Sequence, residues 1–365
     1  MWAKGLKNTE SQGIAFSLDE GITWTKYNGN PILNNNGEQD FRDPKVFWNT
    51  ETELWQMVLA VGDHIRIFSS PNLLDWKFES NFKPAETSEP LGVWECPDLF
   101  PLKYNGNTKW VMIINHGDKG PNGGSCTRYF IGEFDGKTFQ QAQDARWLDY
   151  GTDFYAGVTF SNVPDDKKYL ISWMSNWQYA NQTPTKVWRS AMTIPRELVL
   201  DKDSSGYFIR QNITEGMDAL KSNTIVKEQI NYTYHLSNID LSQAFISFRS
   251  NGGLDEIKIG NKSEYILIEI NECEVVIDRR HSGMIDFSDR FAAKVQSMPI
   301  SEAITECKII LDRSSIELLL NDGKYSMTNI FFPKEKYSEL SIIGEEDSKI
   351  TDLKIDHIAR VWPNQ

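Results

Sequence analysis

Apolar runs of four to eight residues, each ended by Gly, Asn, Asp or Pro, recur along this chain in units of four. One unit opens with Asp40-Phe41-Arg42-Asp43-Pro44 and carries runs at Lys45–Trp48, Trp55–Val61, His64–Ser69 and Trp76–Glu79. The next opens with Trp94-Glu95-Cys96-Pro97-Asp98, followed by runs at Trp110–Asn115, Thr127–Phe134 and Thr138–Gln141. The third opens with Thr152-Asp153-Phe154-Tyr155-Ala156, with runs at Tyr169–Trp173, Lys186–Met192 and Arg196–Leu200. Taking Asp43, Glu95 and Asp153 as markers, the openings fall 52 and 58 residues apart. Four strands at this period make a propeller blade, close to a kelch repeat in length. The segment Phe16–Trp24 also echoes Phe68–Trp76, as hairpins of successive blades do. A Greek-key sandwich over Met1–Leu200 is the structural alternative, but sandwiches do not repeat in this way.

Ahead of the first full unit stand only three strands, near Met1–Lys4, Gly13–Ser17 and Thr23–Tyr27. The innermost strand of that blade is absent, so the expectation is a chain that opens mid-blade. After Arg210 the repeat stops. A connector, Gln211–Asn223, contains the best amphipathic stretch, around Thr214–Ser222, and leads to a second strand-rich region. Its runs are Ala244–Arg249, Tyr265–Ile270, Glu274–Asp278, Cys307–Asp312, Ser315–Leu320, Ile330–Phe332 and Leu340–Ile343. Asn321-Asp322-Gly323 is a hairpin turn signal, because Asp-Gly supplies the positive φ a tight turn requires. The region reads as a two-sheet sandwich. The expected class is therefore all-β, with residues 1–210 a partial propeller, 211–223 a connector and 224–365 a β-sandwich.

Charge narrows the function classes. A net charge of −13 with no run of Lys or Arg disfavours nucleic acid, whose binding rests on neutralising phosphates. No apolar run approaches the roughly 18–20 residues of a membrane-spanning helix, so membrane insertion is not expected. Met1–Glu10 is polar and does not read as a signal peptide. Cys96, Cys126, Cys273 and Cys307 lie far apart, which argues against zinc or a redox pair, and the five histidines form no metal spacing. No phosphate loop, nucleophile elbow or dinucleotide fingerprint occurs, so neither cofactor nor metal is expected. Asn181, Asn212, Asn231 and Asn261 sit in N-x-[ST] sequons. Aromatic residues make up 12% of the chain, which fits either a carbohydrate site or a large all-β core.

The first strand of each blade lines a propeller's central channel. The repeat therefore sets Asp43, Glu95 and Asp153 around one funnel mouth. Glycoside hydrolysis needs a protonated acid for the leaving oxygen and an anion facing the anomeric carbon. Neighbouring carboxylates and the apolar flanks Trp94 and Cys96-Pro97 would favour the protonated form of Glu95, as an acid's role requires. Each residue also has a plainer reading. Asp43 could pair with Arg42 or cap a turn, Asp153 could be a loop residue, and repeat register alone aligns such positions. Trp177, ending a strand near the same funnel, could stack on a sugar or pack between blades.

At these residues the chain resembles glycoside hydrolase family 32, the invertases, levanases, inulinases and fructan β-fructosidases. Arg42-Asp43-Pro44-Lys45-Val46-Phe47-Trp48 and Trp94-Glu95-Cys96-Pro97-Asp98-Leu99-Phe100 are similar to its internal signatures. So are Asp153-Phe154-Tyr155-Ala156, Ile171–Trp177 and Met192–Leu198, and, in the second region, Asp312–Glu317 followed by Asn321-Asp322-Gly323. The resemblance implies a five-bladed propeller, a sandwich, and a retaining mechanism on sucrose or fructans. It implies Glu95 as general acid/base, Asp43 as transition-state stabiliser beside Arg42, and Trp177 lining the fructosyl pocket. It makes Cys96 a pocket thiol and not a disulfide partner, and adds Asp153 and Tyr155 as substrate-binding positions. One departure stands out. The family's nucleophile is an Asp in a Trp-Met-Asn-Asp-Pro-Asn-Gly-like segment of the first blade, and the only Asn-Asp here is Asn321-Asp322. The first blade and the inner strand of the second are thus expected to be missing from these residues.

Two other classes compete. A fructan-binding or structural remnant would keep pocket and sandwich without turnover. A sialidase-like propeller fits the Asp-box pattern of Ser17–Trp24, but no arginine triad with a tyrosine nucleophile accompanies it.

Overall fold

The computed structural model describes residues 2–3, 10–84 and 92–361. The described residues form strands, turns and three short 3-10 segments. Three sheets of the first half are blades. The first runs Phe41–Asn49, Leu54–Val61, His64–Ser70 and Lys77–Phe82, paired in chain order and antiparallel. The second runs Trp94–Tyr104, Asn107–His116, Cys126–Phe134 and Phe139–Gln141, with Arg146–Trp147 added beside the third strand. The apolar runs read from the sequence overlap these strands, although Trp76 and Thr138 lie just outside theirs.

The third blade differs from the expectation. Of Lys186–Met192 only Ala191–Met192 pairs, as a short side strand on Trp173 and Met174. The blade's outer strands are Arg196–Asp203 and Gly206–Ile213, behind Tyr155–Thr159 and Tyr169–Met174. Val187 and Trp188 are apolar yet exposed, so hydrophobicity there misreported a strand. The stretch 211–223 likewise ends one strand at Ile213 and begins another at Lys221, with a 3-10 turn Glu215–Leu220 between.

Before the first blade, Trp2–Ala3 pairs with Glu10–Ser11, and Ala15–Phe16 pairs with Thr25–Lys26. Met1 and Lys4 of the first expected strand lie outside the described residues. The hairpin echo is real in atomic terms. Trp24 Nε1 donates to the Gly21 carbonyl at 2.9 Å, and Trp76 Nε1 to the Leu73 carbonyl at 3.0 Å. Gly21 and Leu73 occupy the same left-handed turn position, with φ of 90° and 68°.

Residues 221–358 form two six-stranded sheets facing one another over an apolar core that includes Ile246, Ile257, Ile268, Ile309, Leu318 and Ile342. Strands such as Leu254–Gly260 and Lys349–Ile358 escaped the sequence reading because charged residues alternate with their buried ones. The Asn321–Gly323 turn has φ values of 48°, 56° and 71°, as its sequence requires. The strands it joins, Ser315–Leu320 and Tyr325–Ile330, are buried along their whole length. One face meets the opposite sheet; the other rests on the blades, where a Cβ on Gly151 would stand 2.0 Å from the Thr328 carbonyl oxygen. Only a glycine permits that approach.

Candidate active site

The innermost blade strands, β1 (Phe41–Asn49), β2 (Trp94–Tyr104) and β3 (Tyr155–Thr159), share one irregularity. Pairing skips between Arg42 and Lys45, between Glu95 and Asp98, and between Tyr155 and Val158. Each gap holds a residue with left-handed backbone: Asp43 at φ 58°, Cys96 at 45° and Ala156 at 54°. Each is followed by Pro44, Pro97 or Gly157. A bulge leaves an N–H unpaired, which proline lacks, so the sequence suits the kink. A bulge re-aims side chains, and here it turns three neighbouring strands toward one point.

This register corrects the alignment drawn from sequence. The structural equivalents are Arg42, Glu95 and Tyr155, spaced by 53 and 60 residues. Asp43 matches Cys96 and Ala156. The three side chains of the first row touch. Arg42 Nε donates to Glu95 Oε1 at 3.1 Å, and the Tyr155 hydroxyl donates to Glu95 Oε2 at 2.5 Å. In the second row, the Cys96 N–H donates to Asp43 Oδ2 at 3.1 Å, with the thiol sulfur 3.6 Å from the same oxygen.

Electrostatics keep the protons where this geometry needs them. Burial, then the charge of Glu95, pushes the Tyr155 phenol far above its ordinary value, so it stays a donor. Burial, then Asp43 and Glu95, pushes the Cys96 thiol up as well, and Cys96 is a free thiol. Burial opposes the Arg42 charge, but hydrogen bonding to Asp40 and the charges of Glu95, Asp40 and Glu10 outweigh it. Arg42 Nη1 reaches Glu10 at 3.2 Å and also bonds Asp40.

Trp177 is 53% exposed, with its ring 4.9 Å from Trp173, which lies 6.3 Å from Tyr155. An aromatic wall therefore runs from Glu95 outward. Its last member is held by a tight turn. Trp177 N–H donates to Ser125 Oγ at 3.2 Å, while Asn176 donates to the Thr152 and Gly123 carbonyls.

Asp153 is not at the mouth. It is fully buried, 2.6 Å from the guanidinium of Arg279, and accepts from the Tyr179 hydroxyl at 2.7 Å and the Ile330 N–H at 3.0 Å. It lies two residues before Tyr155, outside the bulge, and faces the sandwich instead of the Arg42–Glu95–Tyr155 row.

Sequence reasoning missed four contributors. Asp40 stands two residues before Arg42 in the same opening and was within reach of inspection. Trp173 is the cross-strand partner of Tyr155, which follows once the strands are paired. Asn115, the polar end of an apolar run, joins two bulges: its Nδ2 donates to the Cys96 carbonyl at 2.9 Å and its Oδ1 accepts from Gly157 N–H at 3.1 Å. Glu10 carries no sequence signal at all. Further along the same strands, Lys45 Nζ meets Asp98 Oδ2 at 3.1 Å, and Asp98 also accepts from the N–H and hydroxyl of Thr159 at 2.7 Å each. Among the described residues no three His, Cys, Asp or Glu gather as ligands for a metal ion.

Comparison with known proteins agrees with this geometry. Residues 2–211 match the sequence model of the glycosyl hydrolases family 32 N-terminal domain, and residues 209–357 that of the family 32 C-terminal domain. The chain is 36% identical over 375 residues to a levanase of Bacillus subtilis, covering 96% of this chain and 55% of the levanase. It thus spans about half the length of that relative. It is 33% identical over 394 residues to an extracellular exo-inulinase of Aspergillus niger, covering 98% of this chain and 73% of the inulinase. The crystal structure of exo-inulinase from Aspergillus awamori superposes with a TM-score of 0.85 at 31% identity, covering 97% of this chain and 75% of the other. The β-fructofuranosidase of Schwanniomyces occidentalis complexed with fructosyl-erythritol gives 0.84 at 28% identity, with 97% and 76% covered. Bulged inner strands, an Arg–Glu–Tyr row, a supporting sandwich and these matches together make the chain a member of glycosyl hydrolases family 32, built as a β-propeller followed by a β-sandwich.

Proposed function

We propose that these residues are most of a glycosidase that cleaves terminal β-D-fructosyl linkages of sucrose or of fructans such as levan and inulin. The blades up to Ile213 carry the site, the turn Glu215–Leu220 connects, and the two-sheet region from Lys221 supports it. The carrying observation is the Arg42–Glu95–Tyr155 row with Asp43 beside it, at the partly exposed end of three bulged strands. The levanase, inulinase and fructofuranosidase relatives supply the substrate class.

In this reading Glu95 gives its proton to the glycosidic oxygen as the bond to the anomeric carbon breaks. A carboxylate on the far side of the sugar takes the fructosyl group. Glu95 then accepts a proton from the water that releases it. Asp43, anchored by the Cys96 N–H, grips fructosyl hydroxyls as charge develops, and Arg42 stands beside it. Trp177 offers its exposed face to the sugar's C–H surface.

The nucleophile is proposed to come from a segment outside these 365 residues, because no Asn-Asp-Pro-Asn-like stretch occurs among them. That same observation supports a second reading, a fructan-binding chain without turnover. Fructose release from sucrose, inulin and levan tests both, using the chain beside a version extended by an Asn-Asp-Pro-Asn-bearing segment. Activity only in the extended form supports the first reading, and binding without activity in both supports the second. Equal rates from the two would mean that the nucleophile lies within Met1–Gln365.

A further inference from the structure

Arg279 directly follows the sandwich strand Glu274–Asp278 and is 2% exposed. Its Nη1 donates to Asp153 Oδ2 at 2.6 Å and to the Ile330 carbonyl at 2.7 Å. Its Nη2 donates to Thr152 Oγ1 at 2.8 Å and to the Tyr179 hydroxyl at 2.9 Å. The guanidinium also lies over the Phe291 ring, 4.3 Å from its centroid. A planar fork that meets four acceptors and an aromatic face has one orientation, which a lysine ammonium cannot reproduce.

Two of those acceptors stand directly behind the site. Asp153 precedes Tyr155 by two residues, and Tyr155 bonds Glu95. Tyr179 follows Trp177 by two residues, and the Tyr179 hydroxyl donates to Asp153 at 2.7 Å. Thr152 adds a third tie: its carbonyl accepts from Asn176, which shapes the Trp177 turn. One sandwich residue thus anchors both ends of the aromatic wall from behind. The other fully buried arginine, Arg196, is built differently. It binds Asp149, Glu317, Gln211 and Thr328 and touches the Phe154 ring, with no bond to the 176–179 turn.

We propose that Arg279 is a positioning residue, through which the sandwich sets Tyr155 against Glu95 and Trp177 at the mouth of the site. The placement of the wall stands on the contacts above; its consequence for sugar rests on the fructosidase reading.

The test compares Arg279→Lys with Glu317→Gln, an isosteric change that weakens the Arg196 cluster. Each is made in the full chain and read by amide hydrogen exchange and by calorimetric titration with short inulin oligosaccharides. In Arg279→Lys, exchange over 152–155 and 176–179 should rise, and oligosaccharide affinity should fall on the order of tenfold, the scale of a misplaced positioning group. Glu317→Gln should lower the melting temperature while leaving the 176–179 exchange and the affinity unchanged. Tyr179→Phe removes one hydroxyl without disturbing the fork's charge pair, and should loosen 176–179 even if Arg279→Lys does not fold. Equal loss of affinity in the Arg279 and Glu317 variants, or unchanged exchange at 176–179 in Arg279→Lys and Tyr179→Phe, overturns the proposal. If the chain extended by an Asn-Asp-Pro-Asn-bearing segment neither binds nor cleaves fructan while exchange responds as expected, the fructosidase reading falls and the anchoring role stands.

Discussion

Two arginine–carboxylate clusters occupy this molecule under opposite solvent conditions. Around Glu95, Arg42 is 16% exposed, and its partners Glu10, Asp40 and Glu95 are 22%, 32% and 24% exposed. Between propeller and sandwich, Arg196 and Asp149 are wholly buried and Glu317 is 3% exposed, with Arg279 and Asp153 nearby in the same state. The Arg196 cluster is closed. Arg196 spends its donors on Asp149, Glu317, Gln211 and Thr328, and its charge survives burial because Glu317 and Asp149 offset the loss of water. The exposed set is open to solvent and to a ligand entering from it; the buried set is not. Chemistry of the same kind thus yields a candidate site in one place and a weld in the other, and access to solvent separates them.

The largest effect should come from the exposed cluster. In a version extended by a nucleophile-bearing segment, Glu95→Gln should lower turnover by about 10²–10⁴, the usual contribution of a general acid/base, with an unchanged melting curve. Asp43→Asn should also reduce kcat, through contacts made in the transition state. A change confined to KM would make Asp43 a binding residue instead.

The buried cluster should respond the other way. Arg196→Met leaves Asp149 and Glu317 as uncompensated buried carboxylates, which costs about 3–5 kcal/mol. The unfolding midpoint should fall steeply while sugar binding by the remaining folded protein holds. A variant that melts normally but no longer binds would break the distinction between the two clusters.

The smallest expected effect lies at the rim of the same interface, where Asp203 of the third blade meets Lys324 of the sandwich hairpin at 2.9 Å. Burial works to raise the Asp203 carboxyl, but Ser205 and Lys324 overcome it and hold it at about 2, below its ordinary 3.8. A depressed carboxylate contributes stability above its unfolded value. That contribution is therefore complete above about pH 4 and lost as pH falls toward 2. Thermal melts across this window should show a component that Asp203→Asn removes; an identical acid profile in both proteins would remove this pair from the interface ledger.

Legibility followed the range of the interactions. Strand positions in the first two blades could be read because burial and turn chemistry are local, and Asp43-Pro44 and Cys96-Pro97 even mark two of the three bulges. The third blade misled because Val187 and Trp188 are apolar without being covered, and hydrophobicity alone does not reveal an exposed face. At the site, Arg42, Asp43, Glu95, Cys96 and Tyr155 were named from their motifs and are brought together, with Trp177 joined to them through Trp173. Their register was misjudged by up to two residues, since a repeat aligned on acidic letters ignores which residue the bulge turns inward.

By itself the sequence determined an all-β chain, a repeating blade, a following sandwich, and a short set of residues proposed to handle a glycosidic bond. Each of these follows from spacing and residue chemistry over a few tens of positions. Tertiary structure alone decided which carboxylates gather beside Arg42 and which are buried against the sandwich. Asp153 looked equivalent to Glu95, yet its partner Arg279 lies 126 residues away in the other half of the molecule. A carboxylate becomes a reactive group or a structural one according to what else reaches it and whether water does, and both are properties of the folded chain.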